Sequence, residues 1–310
     1  MDVRGRTLAH MPNIDANGIR IEYETFGDRG AEPLLLVMGL GAQMLLWEEA
    51  FCEGLAARGH YVVRYDNRDV GLSTHFDAHG VPDLVAVMTA AATGKPVSVG
   101  YTLDDMADDA AGLCDALGFD DAHFVGASMG GMIVQTVAIR HPARVRSLVS
   151  IMSTTGNPAL PPARPEILAL LAGPAPEGRQ ANIDASVETW RKIGSPGFPF
   201  DEAQIRARSA ELYDRAHHPA GQARQLAAIV AHGNRAPQLA GVRAPTLVIH
   251  GSDDPLVPVE GGKDTAASIP GSELLLIPGM GHDLPRPLFP KLVDAISTHT
   301  HKAAVARGRR

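Results

Sequence analysis

A chain of 310 residues with 45% hydrophobic content is long enough for one large α/β domain carrying an insertion. Its formal net charge of −7 argues against nucleic acid as a partner, and its two cysteines, Cys52 and Cys114, both fall in predicted helices, so no disulfide framework is implied. Met1 to Asn17 lacks the apolar core of a signal peptide and no run of about 18 apolar residues occurs, so the expectation is a soluble cytoplasmic protein with no membrane partner.

Ile19 to Phe26 alternates apolar and polar residues, which predicts a strand with one exposed face. Pro33 to Met38 is a continuous apolar run, as a strand covered on both faces requires, and it ends in the turn Gly39-Leu40-Gly41. A helix follows from about Leu46 to Arg58. Tyr61 to Tyr65 is the next strand and runs into the polar loop Asp66-Asn67-Arg68-Asp69. Strands alternating with helices imply a parallel sheet. Residues 76–101 interrupt this rhythm with Gly80, Pro82, Gly94, Pro96 and Gly100 around one short helical piece. Thr102 to Asp105 then forms a capping-box variant for a helix that buries Leu103, Met106, Ala110, Leu113, Cys114 and Leu117 on one face and stops at Gly118.

The stretch that organises the chain is Gly126-Ala127-Ser128-Met129-Gly130, of the form G-x-S-x-G. It stands between a buried strand, His123 to Val125, and an apolar helix from about Gly131 to Arg140. That context lifts a serine hydroxyl out of a strained turn at the sheet edge, with the N–H groups of the following helix beside it. Small neighbours are required for so tight a turn. Val145 to Met152 is another buried strand. From about Thr154 to Ala240 the strands stop, proline recurs, and helical patterns appear near 164–171, 183–193, 201–216 and 219–232. The strand–helix rhythm resumes with Pro245 to Gly251, Gly261 to Ile269, Leu274 to Ile277 and Leu288 to Thr298. The basic tail from His301 to Arg310 is expected to fray.

Serine is a weak nucleophile until a base takes its proton, and the base must be oriented by a third group. The strand ending at Gly251 runs into Ser252-Asp253-Asp254-Pro255, and the last strand runs into Pro278-Gly279-Met280-Gly281-His282. A carboxylate and a histidine thus follow two further strand ends, where open α/β sheets place their sites. The chain order is serine, acid, histidine. His60, His123 and His141 read as core or core-flanking residues, and His217-His218 as the start of a loop. No histidine, cysteine or acidic cluster has ligand spacing, and no G-x-G-x-x-G follows a strand, so neither metal nor cofactor is expected.

Five segments carry a resemblance to α/β-hydrolase-fold enzymes over almost the whole chain: Met38-Gly39-Leu40-Gly41, Asp66 to Ser73, Gly126 to Gly131, Asp254-Pro255-Leu256-Val257-Pro258 and Gly279-Met280-Gly281-His282. Val37-Met38-Gly39, Arg64 to Asp69 and Ile277 to His282 are similar to aclacinomycin-type methylesterases, which hydrolyse a methyl ester on a polyketide. The resemblance implies an α/β-hydrolase fold with a mostly parallel eight-stranded sheet flanked by helices. Residues 1–153 and 241–310 would form the core domain and 154–240 a helical cap. It implies Ser128 as nucleophile, His282 as base, Asp254 as the acid that orients it, and the backbone N–H groups of Leu40 and Met129 as the oxyanion hole. The pattern Asp-Pro-x-x-Pro selects Asp254 over Asp253. Met38 stands where many relatives have histidine, and Asp69 where many have glycine; the latter reads as a subgroup mark with a structural role. The function implied is hydrolysis of a small-molecule ester or lactone. Enol-lactone hydrolysis, C–C bond hydrolysis and cofactor-free perhydrolysis use the same triad, and a non-catalytic ligand-binding protein of this fold is the rival outside enzymology. Cap aromatics Trp190, Phe198, Phe200 and Tyr213 are expected to divide between cap core and pocket wall.

Overall fold

The computed structural model describes residues 12–173 and 175–308. The segment Met1–Asn17, read above for a leader, therefore lies largely outside the described residues. Eight strands form one sheet: β1 (Asn13–Ala16), β2 (Ile19–Phe26), β3 (Glu32–Val37), β4 (His60–Tyr65), β5 (Ala122–Ala127), β6 (Val145–Ile151), β7 (Thr246–Gly251) and β8 (Glu273–Ile277). Their order is β1-β2-β4-β3-β5-β6-β7-β8. β1 and β2 pair antiparallel, as do β2 and β4, and every later pairing is parallel.

The apolar runs explain the layering. Successive side chains of a strand point to opposite faces. In β3, Leu35 and Val37 join one buried layer with Phe124 and the helix residues Leu103, Leu113 and Ile133. Leu34 and Leu36 join the other, with Val125, Val149, Phe51 and Leu292. A strand covered on both faces cannot alternate apolar with polar, which is why β3 reads as a continuous hydrophobic stretch and why β5, β6 and β7 are buried along nearly their whole length.

The helices before β6 are α1 (Glu49–Ala56), α2 (Leu84–Ala92), α3 (Leu103–Leu117) and α4 (Met129–Arg140), of which α2 is largely exposed and buries only Val87. Between β6 and β7 lie α5 (Pro165–Ala172), α6 (Arg179–Ile193), α7 (Glu202–Arg215), α8 (Pro219–His232) and the short α9 (Ala236–Leu239), and after β7 come α10 (Val259–Ser268) and α11 (Phe289–Gly308). The start of α3 is capped as its sequence suggests: the Asp105 carboxylate accepts from the Thr102 backbone N–H at 2.7 Å and from its hydroxyl at 2.8 Å. Gly118 ends the helix in a left-handed conformation.

One expectation is corrected. Residues His301 to Gly308 are not a frayed tail, since α11 continues to Gly308; Arg309 and Arg310 lie outside the described residues. Thr300 and Ala303 are buried, and the His301 ring N–H donates to the Arg58 carbonyl at 3.0 Å, which holds the extra turns against the core. The strand β1 escapes a reading based on alternation. It is four residues long and closes a hairpin with β2 through Asn17-Gly18, both at positive φ. That dipeptide is itself a hairpin signal.

Candidate active site

Ser128 sits between β5 and α4 with φ 56° and ψ −121°, a conformation that L-residues seldom adopt. The glycines around it are required by contact. A Cβ on Gly126 would lie 2.1 Å from the Gly130 carbonyl oxygen, and one on Gly130 would lie 2.0 Å from the Val37 oxygen. The turn is tied to β6, with the Ser128 N–H donating to Ile151 O at 2.9 Å and the Ser153 hydroxyl donating to Ser128 O at 2.8 Å.

His282 Nε2 is 2.9 Å from Ser128 Oγ, and its Nδ1 is 2.7 Å from Asp254 Oδ2. Asp254 and His282 are both about 95% buried, so this pairing is shielded from bulk water. With a carboxylate accepting at Nδ1, the ring carries its proton there and Nε2 is left to accept from the serine hydroxyl. The other carboxylate oxygen, Asp254 Oδ1, accepts from the N–H groups of Leu256 (2.9 Å) and Val257 (2.8 Å). The adjacent Asp253 turns away and accepts from the Gly279 N–H at 2.8 Å, bracing the histidine loop from its other end.

No motif or spacing marks His250 in the sequence. Its ring N–H donates to Val257 O at 2.8 Å, so it supports the turn that holds Asp254. Burial keeps this imidazole below the usual histidine range, and Asp254 therefore faces a neutral neighbour at 3.7 Å rather than a second cation. The histidine loop is also braced from the C-terminal end of α6 and the residues after it. The His282 N–H donates to Ile193 O at 2.7 Å, the Gly281 N–H to Ser195 Oγ at 2.9 Å, and Ser195 bonds the half-buried Asp283, whose carboxyl is raised by desolvation.

The loop after β3 passes close beside the serine, since a Cβ on Gly39 would come within 3.0 Å of Ser128 Cβ. Leu40 follows on that loop and Met129 opens α4. The loop is held at two points: Asn67 Nδ2 donates to Met38 O at 2.9 Å, and the Gly41 N–H donates to Gln225 Oε1 of α8 at 2.8 Å. Asp69 takes a structural position. Its carboxylate, fully buried at φ 68°, makes a two-pronged ion pair with Arg224 of α8, both bonds at 2.7 Å. Burial alone would raise this carboxyl, but the Arg224 bonds and the Phe76 N–H outweigh it and hold it below the usual carboxylate range. Nearby, Asp66 pairs with Arg215 of α7 at 2.7 Å.

Among the described residues, His75, Asp77 and His218 are a group whose donor atoms converge closely enough for a cation. The Arg224 guanidinium already sits 2.9 Å from His218 Nε2 and 3.0 Å from Asp77 Oδ1, which disfavours a second positive charge there. Cys52 and Cys114 are buried, with burial pushing both thiols up to about 12, far from a reactive thiolate. Of the aromatics, Phe198 packs against the apolar layer around Met280, Tyr213 stacks on His217 at 4.4 Å, and Phe200 lies exposed beneath the Arg191 guanidinium at 4.7 Å. His123 and His60 bond Ser147 and Thr300 inside the core.

A family model for the alpha/beta hydrolase fold matches residues 32–285. Rhodomycin D methylesterase DauP of Streptomyces sp. (strain C5) is 32% identical over 319 residues, covering 94% of this chain and 98% of that protein. Rhodomycin D methylesterase DnrP of Streptomyces peucetius is 30% identical with the same coverage. Among solved structures, a meta-cleavage product hydrolase from Pseudomonas fluorescens IP01 superposes with a TM-score of 0.74 at 19% identity, covering 96% of this chain and all of that one.

Proposed function

Because the chain belongs to the α/β-hydrolase-fold family, we propose that it is a serine hydrolase that cleaves a carboxylic ester, with the methyl ester of a polycyclic metabolite as its substrate class. The observation that carries this reading is His282, bonded through Nε2 to Ser128 and through Nδ1 to a doubly anchored Asp254. The methylesterase relatives support the choice of ester.

In this reading Ser128 Oγ attacks the ester carbonyl while His282 Nε2 takes the hydroxyl proton. The carbonyl oxygen becomes an oxyanion facing the N–H groups of Leu40 and Met129, where donors of this kind are each worth about 3–4 kcal/mol. Collapse of the tetrahedral intermediate breaks the bond to the alcohol, and His282 returns the proton to the leaving oxygen. Water then attacks the acyl-enzyme by the same route in reverse, with His282 as base, and the acid is released. Asp254 stabilises the imidazolium in both halves. Residues 154–240 serve as a cap over a core built from 1–153 and 241–310, and the ion pairs from Asp66 and Asp69 to α7 and α8 support that arrangement.

The test is a panel of methyl, p-nitrophenyl and lactone substrates of graded acyl size, run beside labelling with a fluorophosphonate probe. Wild-type protein is expected to be labelled and to turn over methyl esters, and Ser128→Ala to lose both while keeping its circular dichroism spectrum. A variant that retains a tenth of the wild-type kcat removes Ser128 as nucleophile. An unlabelled wild-type protein with no turnover points to the ligand-binding reading.

A further inference from the structure

Gln225 is fully buried on α8, yet it spends both ends of its amide on loops of the sheet rather than on its own neighbours. Its Oε1 accepts from the Gly41 N–H at 2.8 Å and its Nε2 donates to Arg68 O at 2.8 Å. One side chain thus joins the loop after β3 to the loop after β4. The next residue back, Arg224, locks the same turn of helix to Asp69.

The bond at Gly41 matters because of what lies beside it. Leu40 stands between two glycines, and glycine leaves the backbone free to rotate. The peptide plane carrying the Leu40 N–H has one bond of its own, Gly39 O accepting from the Ala42 N–H at 3.2 Å, and the turn so formed is oriented by what grips the loop on either side of it. On one side Asn67 grips Met38 O. On the other, Gly41 sits at φ 64° with Gln222 packed against it, and its N–H ends on Gln225. An oxyanion donor contributes only when it points at the position the developing charge will occupy, so an error in this plane is felt in the transition state and scarcely in the ground state.

We propose that Gln225 is a positioning residue for the oxyanion donor at Leu40, so that the oxyanion site is competent only while α8 is seated on the core. The proposal rests on the reading of Leu40 as a donor given above. It assigns α8 a part in catalysis through a hydrogen bond, beyond forming a pocket wall.

The experiment compares Gln225→Leu and Gln225→Met, which fill the space without a comparable acceptor, with Gln225→Glu, which keeps one. Each is measured for kcat and KM on one methyl ester, for affinity toward a boronic acid matched to the acyl chain, and for melting temperature and circular dichroism. Losing a whole oxyanion donor costs roughly 10²–10³ in kcat, so misaligning one is expected to cost about ten- to a hundredfold. KM should stay within about threefold, and boronic-acid affinity should weaken by the same factor as kcat/KM, because only the tetrahedral adduct uses the site. The shape of the pH–rate profile should not move, since His282 and Asp254 are untouched. Gln225→Glu should recover most of the loss, its carboxyl taking up a proton in the buried site and making both bonds. Unchanged kcat in a folded Leu or Met variant overturns the proposal, as does a loss carried by KM with boronic-acid affinity intact. Should both apolar variants fail to fold, Gln225→Asn, whose shorter amide cannot reach both loops, takes their place: kcat and boronic-acid affinity falling in step at unchanged KM support the proposal, and unchanged kcat in the folded variant overturns it. Leu40→Pro, which deletes the donor without touching Gln225, separates the two readings. Full activity in a folded Leu40→Pro sinks Leu40 as a donor, whereas a crippled Leu40→Pro beside an unaffected Gln225→Leu sinks Gln225 alone.

Discussion

Replacing Asp254 with asparagine changes almost no volume, yet the surrounding hydrogen bonds dictate how the new amide must sit. Asp254 Oδ1 accepts from two backbone N–H groups, at 2.9 and 2.8 Å. The amide oxygen has to take that place, because turning the NH₂ toward those donors would leave both unsatisfied at about 1–3 kcal/mol each. The NH₂ then faces His282 Nδ1 across the 2.7 Å contact now made by the carboxylate. Nδ1 must become the acceptor, and the ring proton moves to Nε2, against Ser128 Oγ at 2.9 Å. A base protonated on that nitrogen cannot accept the serine proton. The equivalent change in serine proteases lowers kcat on the order of 10⁴-fold, which is about 5.5 kcal/mol of barrier. Asp253→Asn is the internal control, since an amide oxygen can still accept from the Gly279 N–H, and its cost should stay below about tenfold. The assay is kcat for both variants on one good ester, with labelling by a fluorophosphonate as a second readout. A crippled Asp253→Asn beside an active Asp254→Asn, or full activity in both, refutes the reasoning.

Arg224→Met strands the Asp69 carboxylate, which is fully buried, and removing one partner of a buried pair typically costs about 3–5 kcal/mol. Urea unfolding should show a loss of that order, partly recovered in the double variant with Asp69→Asn, and a loss under about 1 kcal/mol would mean that the pair is well solvated. Burial holds His123 at about 3, against about 6.5 for a free histidine, so between those values the unfolded chain binds a proton that the folded chain refuses. This contribution leaves stability untouched above the unfolded value and erodes it as pH falls, by about 3 kcal/mol at a pH of about 4.5. Unfolding of wild-type and His123→Phe at neutral pH and near 4.5 should show the gap between them narrowing in acid, and a gap that is constant with pH contradicts the assignment. Activity on the best ester should rise with pH along a single-proton limb, as a neutral base requires, and an acidic limb of slope two would implicate a second titrating group.

Local chain chemistry specified most of the framework. A continuous apolar run marked β3 because a strand covered on both faces has no polar side, and the Thr102–Asp105 box and Gly118 marked both ends of α3. The helical stretches between β6 and β7 were legible from their period, and the G-x-S-x-G turn from the space that its glycines leave. The hairpin Asn17-Gly18 was equally local, but its strand is too short for alternation to register. Other features were set by tertiary structure. Asp253 and Asp254 are chemically alike and adjacent; the Asp-Pro-x-x-Pro resemblance pointed to Asp254, but only the fold shows that Asp253 turns to the Gly279 N–H while Asp254 meets His282. Phe200 and Phe198 differ by two positions, yet one lies exposed under Arg191 and the other packs on the core. The bonds from Asp69 to Arg224 and from Gly41 to Gln225 span 155 and 184 residues. Helix and strand signals extend over a few residues because they follow the backbone's own periods, whereas a pairing across such distances leaves no periodic trace. It exists only once the sheet order and the seating of α8 have brought the partners within a hydrogen bond of each other.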